Sequence, residues 1–181
     1  VNMSTNREIQ LTLFSDDCNY YCDSCASCET NFSNALFGET VCVTQNISSN
    51  GTCLNIANTN NVILDCQDNY ALGNGTGTGI SLAWSSSDNN TFKNCHIKDF
   101  ITGVEFSGVA NNDIIDSTIE NIGQYGININ FGTDVTLSNV NLTNVSNRGI
   151  NTEWGDNHYF EYLNLNQCGL IGISMESGGN F

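Results

Sequence analysis

Apolar positions return along this chain at a long, fixed interval. Gly103, Gly126, Gly149 and Gly172 stand 23 residues apart, and Gly79 stands 24 before Gly103. Each opens the same short motif: Gly79-Ile-Ser-Leu82, Gly103-Val-Glu-Phe106, Gly126-Ile-Asn-Ile129, Gly149-Ile-Asn-Thr152 and Gly172-Ile-Ser-Met175. Three further apolar columns align: Phe92, Ile114, Leu137 and Phe160; Ile97, Ile119, Leu142 and Leu165; Phe100, Ile122, Val145 and Cys168. Polar columns lie between them, with Asn94, Asp116 and Asn139 in one (broken by Tyr162) and Asp99, Asn121, Asn144 and Gln167 in another. The apolar segments have period two and are too short for helices. One such unit cannot bury its apolar face alone, whereas stacked units share a continuous interior. The pattern therefore predicts an all-β stack of coils, with strands pairing in parallel at about 4.8 Å between coils. The glycines Gly79, Gly103, Gly126, Gly149 and Gly172 are expected at a coil corner with a left-handed or strained backbone. A leucine-rich repeat fails, because its core motif and helix are missing.

The remaining chain divides by pattern. Residues 1–17 hold one amphipathic strand signal over residues 8–14, where Ile9, Leu11 and Leu13 alternate with polar residues. That strand either caps its own domain or is donated to a neighbouring subunit. Residues 18–60 form a Cys-rich cap and first coil. A short helix is expected over 29–37 with Leu36 and Phe37 inward, then strands at Val41-Cys-Val43 and Cys53-Leu-Asn-Ile56 around the turn Asn50-Gly51. Residues 61–181 carry the repeats.

Charge and composition narrow the partners. The net charge is −15, with only Arg7, Lys93, Lys98 and Arg148 positive. Nucleic acid and anionic membrane surfaces need a basic footprint, so neither fits. No apolar run approaches a membrane span. The first residue, Val1, follows no basic and apolar leader, so a signal peptide is expected to be absent or removed. Nine cysteines point to an oxidising, extracytoplasmic setting, hence an extracellular or cell-surface location. Thirty asparagines suit left-handed corners and side-chain ladders between stacked strands.

Several segments resemble a known family. Asn61-Val-Ile-Leu-Asp-Cys66, Gly77-Thr-Gly-Ile-Ser-Leu82, Asn90-Thr-Phe-Lys-Asn-Cys-His-Ile97 and Thr102-Gly-Val-Glu-Phe106 are similar to repeats of right-handed parallel β-helix proteins. These belong to the pectate-lyase-like group, which includes NosD-like proteins. The upstream cysteines with Gly51-Thr-Cys-Leu54 resemble the N-terminal cap of archaeal cell-surface β-helix proteins. The resemblance implies a right-handed parallel β-helix of about five to six coils under a Cys-rich cap. It says little of function, because this fold hosts lyases, hydrolases, epimerases, adhesins and structural proteins.

The group's lyases use calcium-binding aspartates with an Arg or Lys base, and its hydrolases use clustered aspartates. Here Lys93 and Lys98 share a coil with Asp99, and Glu120 falls in the Lys98 column, a pattern typical of a surface ion pair. Arg148 shows no acidic cluster. Asp99 and Glu120 lie in columns offset by one, Asp113 and Asp116 share a segment, and Asp134 and Asp156 lie near corners. A hydrolase needs two carboxylates on one face. No column is read as holding two stacked acids, so no catalytic residue is assigned and an enzyme is disfavoured. His96 and His158 read as surface or corner residues. No metal site or cofactor is assigned.

Cys18, Cys22, Cys25, Cys28, Cys42, Cys53, Cys66 and Cys95 are disulfide candidates. The competing reading is a four-thiolate iron–sulfur or zinc site at Cys18 to Cys28. Connectivity stays open, with Cys66 and Cys95 a candidate bridge between successive coils; Cys168 is expected as a buried free thiol. Asn-x-Ser/Thr sequons at Asn2, Asn31, Asn46, Asn50, Asn74, Asn89, Asn141 and Asn144 are glycosylation candidates. Two functions remain. One is an extracellular structural subunit that self-associates head-to-tail through β-helix ends into a filament, sheath or layer. The other is a secreted polysaccharide lyase or hydrolase, or a carbohydrate-binding β-helix, in which Trp84, Trp154, Tyr125 and Tyr159 stack on sugars. A flat threonine ladder for ice binding is missing.

Overall fold

Each repeat winds once around a common interior. The computed structural model describes residues 18–84 and 86–176. The strand signal over residues 8–14, and Asn2 with it, lies outside the described residues. The first face of the stack begins at β1 (Tyr20–Cys22), followed by α1 (Cys25–Asn34). Coil one has β2 (Thr40–Val43), β3 (Ile47–Ser48) and β4 (Leu54–Ile56); coil two has β5 (Ile63–Asp65), β6 (Tyr70–Leu72) and β7 (Thr78–Ala83). Coil three has β8 (Thr91–Lys93), β9 (His96–Lys98) and β10 (Thr102–Ser107). In coils four and five one long strand covers two faces: β11 (Asp113–Ile122) precedes β12 (Tyr125–Asn130), and β13 (Thr136–Val145) precedes β14 (Arg148–Glu153). Coil six has β15 (Tyr159–Glu161), β16 (Asn164–Cys168) and β17 (Ile171–Glu176). Each of these strands pairs in parallel with its counterpart in an adjacent coil, and those of the inner coils pair on both sides. The result is a parallel β-helix of six complete coils plus the part-turn at β1, slightly more than the five to six expected.

The predicted columns are in register. Ile114 pairs with Phe92 and Leu137, Ile119 with Ile97 and Leu142, and Ile127 with Val104 and Ile150. Phe92, Ile97, Phe100, Val104, Ile114, Ile119, Ile127 and Leu142 are all at most 1% exposed. Each such side chain contributes roughly 1.5–3 kcal/mol on burial, which is why period and phase are so evident in the sequence.

The glycine column needs a different account from a left-handed corner. None of Gly79, Gly103, Gly126, Gly149 and Gly172 has a positive φ. They are the second residues of the strands of face three, where that face bends away from face two. A Cβ on Gly79 would lie 2.5 Å from the Ile97 side chain and 2.6 Å from the Gly103 carbonyl oxygen. On Gly149 it would lie 2.5 Å from the Gly172 oxygen. At Gly79, Gly103, Gly126 and Gly149, close approach between coils, not dihedral freedom, excludes a side chain; at Gly172 an added Cβ would meet nothing within 4 Å among the described residues. The left-handed corners belong to other columns. Asn61, Asn89, Asn111, Asp134 and Asn157 have φ between 51 and 59°, and Asp99, Asn121, Asn144 and Gln167 between 55 and 62°. Short polar side chains tolerate this region best.

The capping helix also departs from expectation. It runs from Cys25 to Asn34 and buries Cys28 and Phe32, whereas Leu36 is 68% and Phe37 80% exposed. The Ser24 hydroxyl caps the start, accepting from the Ser27 N–H at 3.2 Å, while the Ser24 N–H donates to the Ser27 hydroxyl at 3.0 Å. That reciprocal cap fixes the helix four residues earlier than its apolar pattern suggested. The Phe32 ring reaches down to Phe92, 5.6 Å between centroids. All eight candidate cysteines are paired, as Cys18–Cys42, Cys22–Cys28, Cys25–Cys53 and Cys66–Cys95. The thiolates are thereby unavailable for a zinc or iron–sulfur site. Cys168 is free and half-buried, and burial pushes its thiol pKa up.

Candidate functional site

The charged residues on the outer faces are mostly engaged with one another. Lys93 Nζ lies 3.1 Å from Asp65 Oδ2, and the Asp65 carboxylate is almost fully buried. Burial alone would raise this carboxyl; hydrogen bonds from the Asn94 amide and the Gln67 N–H, with Lys93 beside it, outweigh that and hold it below its ordinary value. The Lys98–Glu120 pair is formed at 3.1 Å between adjacent coils. Its hydrogen bond holds the Lys98 ammonium above its usual value. Asp99 and Asp116 serve the corner ladders, accepting from Asn121 at 3.1 Å and Asn139 at 2.6 Å. Asp113 is pushed up by burial against hydrogen bonds from Thr136 and Thr91.

Face three holds an acidic pair that the column reading missed. Glu153 and Glu176 are in register in adjacent coils. Arg148 Nη1 lies 3.1 Å from Glu176 and 3.9 Å from Glu153. Two stacked acids therefore exist, and Arg148 does have an acidic cluster. Their separation equals the repeat period, and the signal was in the sequence. The guanidinium also bonds Asn151, whose amide donates to Asn128 at 2.9 Å and Glu153 at 3.0 Å.

The histidines do different jobs. His96 stacks on Tyr70 with centroids 4.8 Å apart, on the outside of face two. His158 is half-buried, and its Nδ1 accepts the Val135 N–H at 3.4 Å. It stands where Asn112 and Asn90 stand two and three coils earlier, with their Oδ1 atoms accepting backbone N–H groups. Burial depresses its pKa, against the charges of Asp134 and Asp156. The neutral ring extends a backbone-bonding ladder, a role that sequence pattern did not reveal. Among the described residues, no cluster of three or more His, Cys, Asp or Glu side chains is placed to hold a metal ion. A polar groove of about 510 Å³ follows the corner between faces two and three, along Asp99, Asn121 and Asn144.

The sequons differ in exposure and in whether the amide is already engaged. Asn46, Asn50, Asn74, Asn89 and Asn144 are exposed, whereas Asn31 and Asn141 are half-buried. The Asn31 amide donates to the Tyr21 carbonyl at 2.9 Å, the Asn74 amide to Asn50 at 3.4 Å and the Asn144 amide to Asn121 at 2.9 Å.

The two ends of the stack are unlike. At the first, α1 closes the interior, bound by Cys22–Cys28 and Cys25–Cys53. At the last described coil the interior columns emerge: Ile173 is 37% and Met175 46% exposed, whereas Ile150 and Thr152, their partners one coil earlier, are 0% and 2%; Ile171, in register with Arg148, is 41% exposed. Leu170 is 79% exposed.

A third feature runs along one edge. Asn58, Trp84, Gly108, Phe131 and Trp154 close face three in successive coils, all with positive φ. Three of them are aromatic and exposed, at 70% for Trp84, 48% for Phe131 and 59% for Trp154. Tyr125 and Tyr159, grouped with the tryptophans from sequence, lie elsewhere: Tyr125 on β12 beside Arg148, and Tyr159 on face one, where its hydroxyl donates to Glu161 at 3.1 Å.

Comparison with known proteins bears on the scaffold. A family model described as "Right handed beta helix region" matches residues 74–181. Among solved structures, this chain is similar to an alginate lyase from Paenibacillus sp. str. FPU-7, at 14% identity over 86% of this chain and 75% of that one, with a TM-score of 0.43. A likeness that loose carries nothing about chemistry. No curated protein matches.

Proposed function

Starting from a chain that belongs to the right-handed β-helix family, we propose an extracellular structural protein that assembles head-to-tail into a surface filament, sheath or layer. The observation carrying this reading is the contrast between the ends. The last described coil presents Ile171, Ile173 and Met175 to solvent together with the edge of β17, which no other described strand covers. An open edge of parallel strands invites another strand. Among the described residues the first end offers no matching coil, because a disulfide-bound helix covers it. Direct coil-on-coil stacking is therefore disfavoured. The amphipathic segment over residues 8–14 is the better donor: its Ile9, Leu11 and Leu13 match the period of the exposed column, and the chain after it is tied to coil one by Cys18–Cys42. Strand addition of this kind is heterologous and does not close, so it propagates. Four disulfides fit an oxidising location. The exposed sequons fit a glycosylated surface.

The test is a cysteine pair, Leu11→Cys with Ile173→Cys, in the full chain. Oxidation is expected to give a ladder of covalent oligomers on denaturing gels and filaments by negative-stain microscopy. Deleting residues 1–14 should leave discrete particles. Monomers at high concentration, or unchanged polymers after the deletion, would refute the donor role.

A further inference from the structure

We propose that the aromatic column at the end of face three is a binding platform for a neutral linear polysaccharide lying along the rod axis. Trp84, Phe131 and Trp154 form a continuous ladder: Trp84 and Phe131 are 5.6 Å apart between centroids, and Phe131 and Trp154 6.3 Å. The first pair spans two coils. It meets because the intervening rung is Gly108, and a Cβ there would lie 2.8 Å from the Trp84 indole. Aromatic residues and a glycine together thus build one uninterrupted strip.

Folding alone does not call for this strip. Bulky side chains are unfavourable at positive φ, and the same column is filled by Asn58 and Gly108 in other coils. The three rings accept that conformation yet remain 48–70% exposed, so burial returns little. Strain kept at exposed aromatic positions is a mark of binding surfaces. Indole and phenyl rings suit the C–H faces of sugar rings, and a ladder at coil spacing suits a chain of them rather than one. The strands that lead into this column carry half-buried polar side chains, Glu105, Asn128 and Glu153, with oxygens able to accept from sugar hydroxyls.

Charge selects the occupant. The neighbouring outer surface carries Glu105, Glu153 and Glu176, Arg148 is held by the last two, and the whole chain is at −15. An acidic polysaccharide would be repelled. So would a second copy of this same face, with its like charges. A neutral glycan suffers neither penalty. The site is on the side of the rod and does not depend on the assembly proposed above.

Trp84 and Trp154 are the only tryptophans, so selectively excited tryptophan fluorescence reports on this ladder alone. The experiment uses the full chain with galactomannan, xylan, hydroxyethylcellulose and laminarin, and with pectate and alginate as acidic arms. Expected are a blue shift and retardation in affinity gels containing at least one neutral polymer, and neither with the acidic ones. The W84N/W154N double variant takes residues natural to this column. It should keep its far-UV dichroism and melting behaviour and lose at least tenfold in affinity; single W84N and F131N variants serve if the double variant misfolds, each weakening binding. No retardation by any neutral polymer, equal retardation by the acidic ones, or full binding by the variants overturns the proposal. A blue shift that grows with protein concentration without sugar would assign the ladder to self-contact and overturn it too.

Discussion

Replacing Gly126 by alanine tests why the glycine column exists. Gly126 lies mid-stack, on β12, with an ordinary φ. The added Cβ would fall on the Leu142 side chain and 2.5 Å from the Gly149 carbonyl oxygen. Neither is easily moved: Leu142 is 0% exposed, and the carbonyl belongs to the next coil's backbone. Overpacking of this sort costs about 1–3 kcal/mol. The control is Gly123→Ala in the same coil. Its Cβ would meet nothing closer than 3.6 Å, and its φ is also ordinary. Reduced freedom of the unfolded chain should make that change neutral or stabilising by up to about 1 kcal/mol. Gly172→Ala, with nothing within 4 Å among the described residues, should behave like the control. Urea unfolding followed by far-UV dichroism, on protein lacking residues 1–14 to keep it unassembled, measures the midpoints. For a chain of this size each kcal/mol moves the melting temperature by about 2–4 °C. Equal losses at Gly126 and Gly123 would refute the close-approach account.

Two further outcomes follow from local chemistry. His158 has a folded pKa below its unfolded value of about 6.5, so the folded state resists protonation. Its contribution is fully present above about pH 6.5 and is lost as pH falls through the depressed folded pKa; His158→Asn, which repeats the Asn90 and Asn112 rungs, should flatten stability between pH 7 and 5, and an unchanged slope would contradict the ladder role. For glycosylation, a glycosylating expression host should modify Asn46, Asn50 and Asn89 in preference to Asn31, Asn74 and Asn144, whose amides already donate within the fold. Site-resolved mass spectrometry showing the reverse order would contradict this.

The repeat was legible because the interior repeats it. Phe92, Ile114, Leu137 and Phe160 face one another across coils, so a single physical demand writes the same letter class every turn. The asparagine corners were legible for the same reason, since their left-handed backbone recurs. The cap was harder. Apolar pattern pointed at Leu36 and Phe37, but the helix start is set by the Ser24–Ser27 exchange and its buried face by Cys25, Cys28 and Phe32, at spacings of three and four. Cysteines counted as bridges also act as the apolar stripe, and that double role hid the register.

The outer surface is less legible because nothing forces it to repeat. Glu153 and Glu176 obey the period, but Asn130 and Ser107 precede them in the column, so the acidic pair reads as noise until Arg148 is seen beside it. The aromatic edge is the sharper case. Its rungs run Asn58, Trp84, Gly108, Phe131 and Trp154, with no common chemistry along the column. What they share is a backbone conformation that favours asparagine and glycine and works against tryptophan. An interior column is informative where it conforms to its environment. This exterior column is informative where it defies it, and the deviation becomes visible only once the φ values are known. The scaffold supplies a regular lattice of positions, and function is most readily sought where a residue is ill suited to its lattice point and exposed nonetheless.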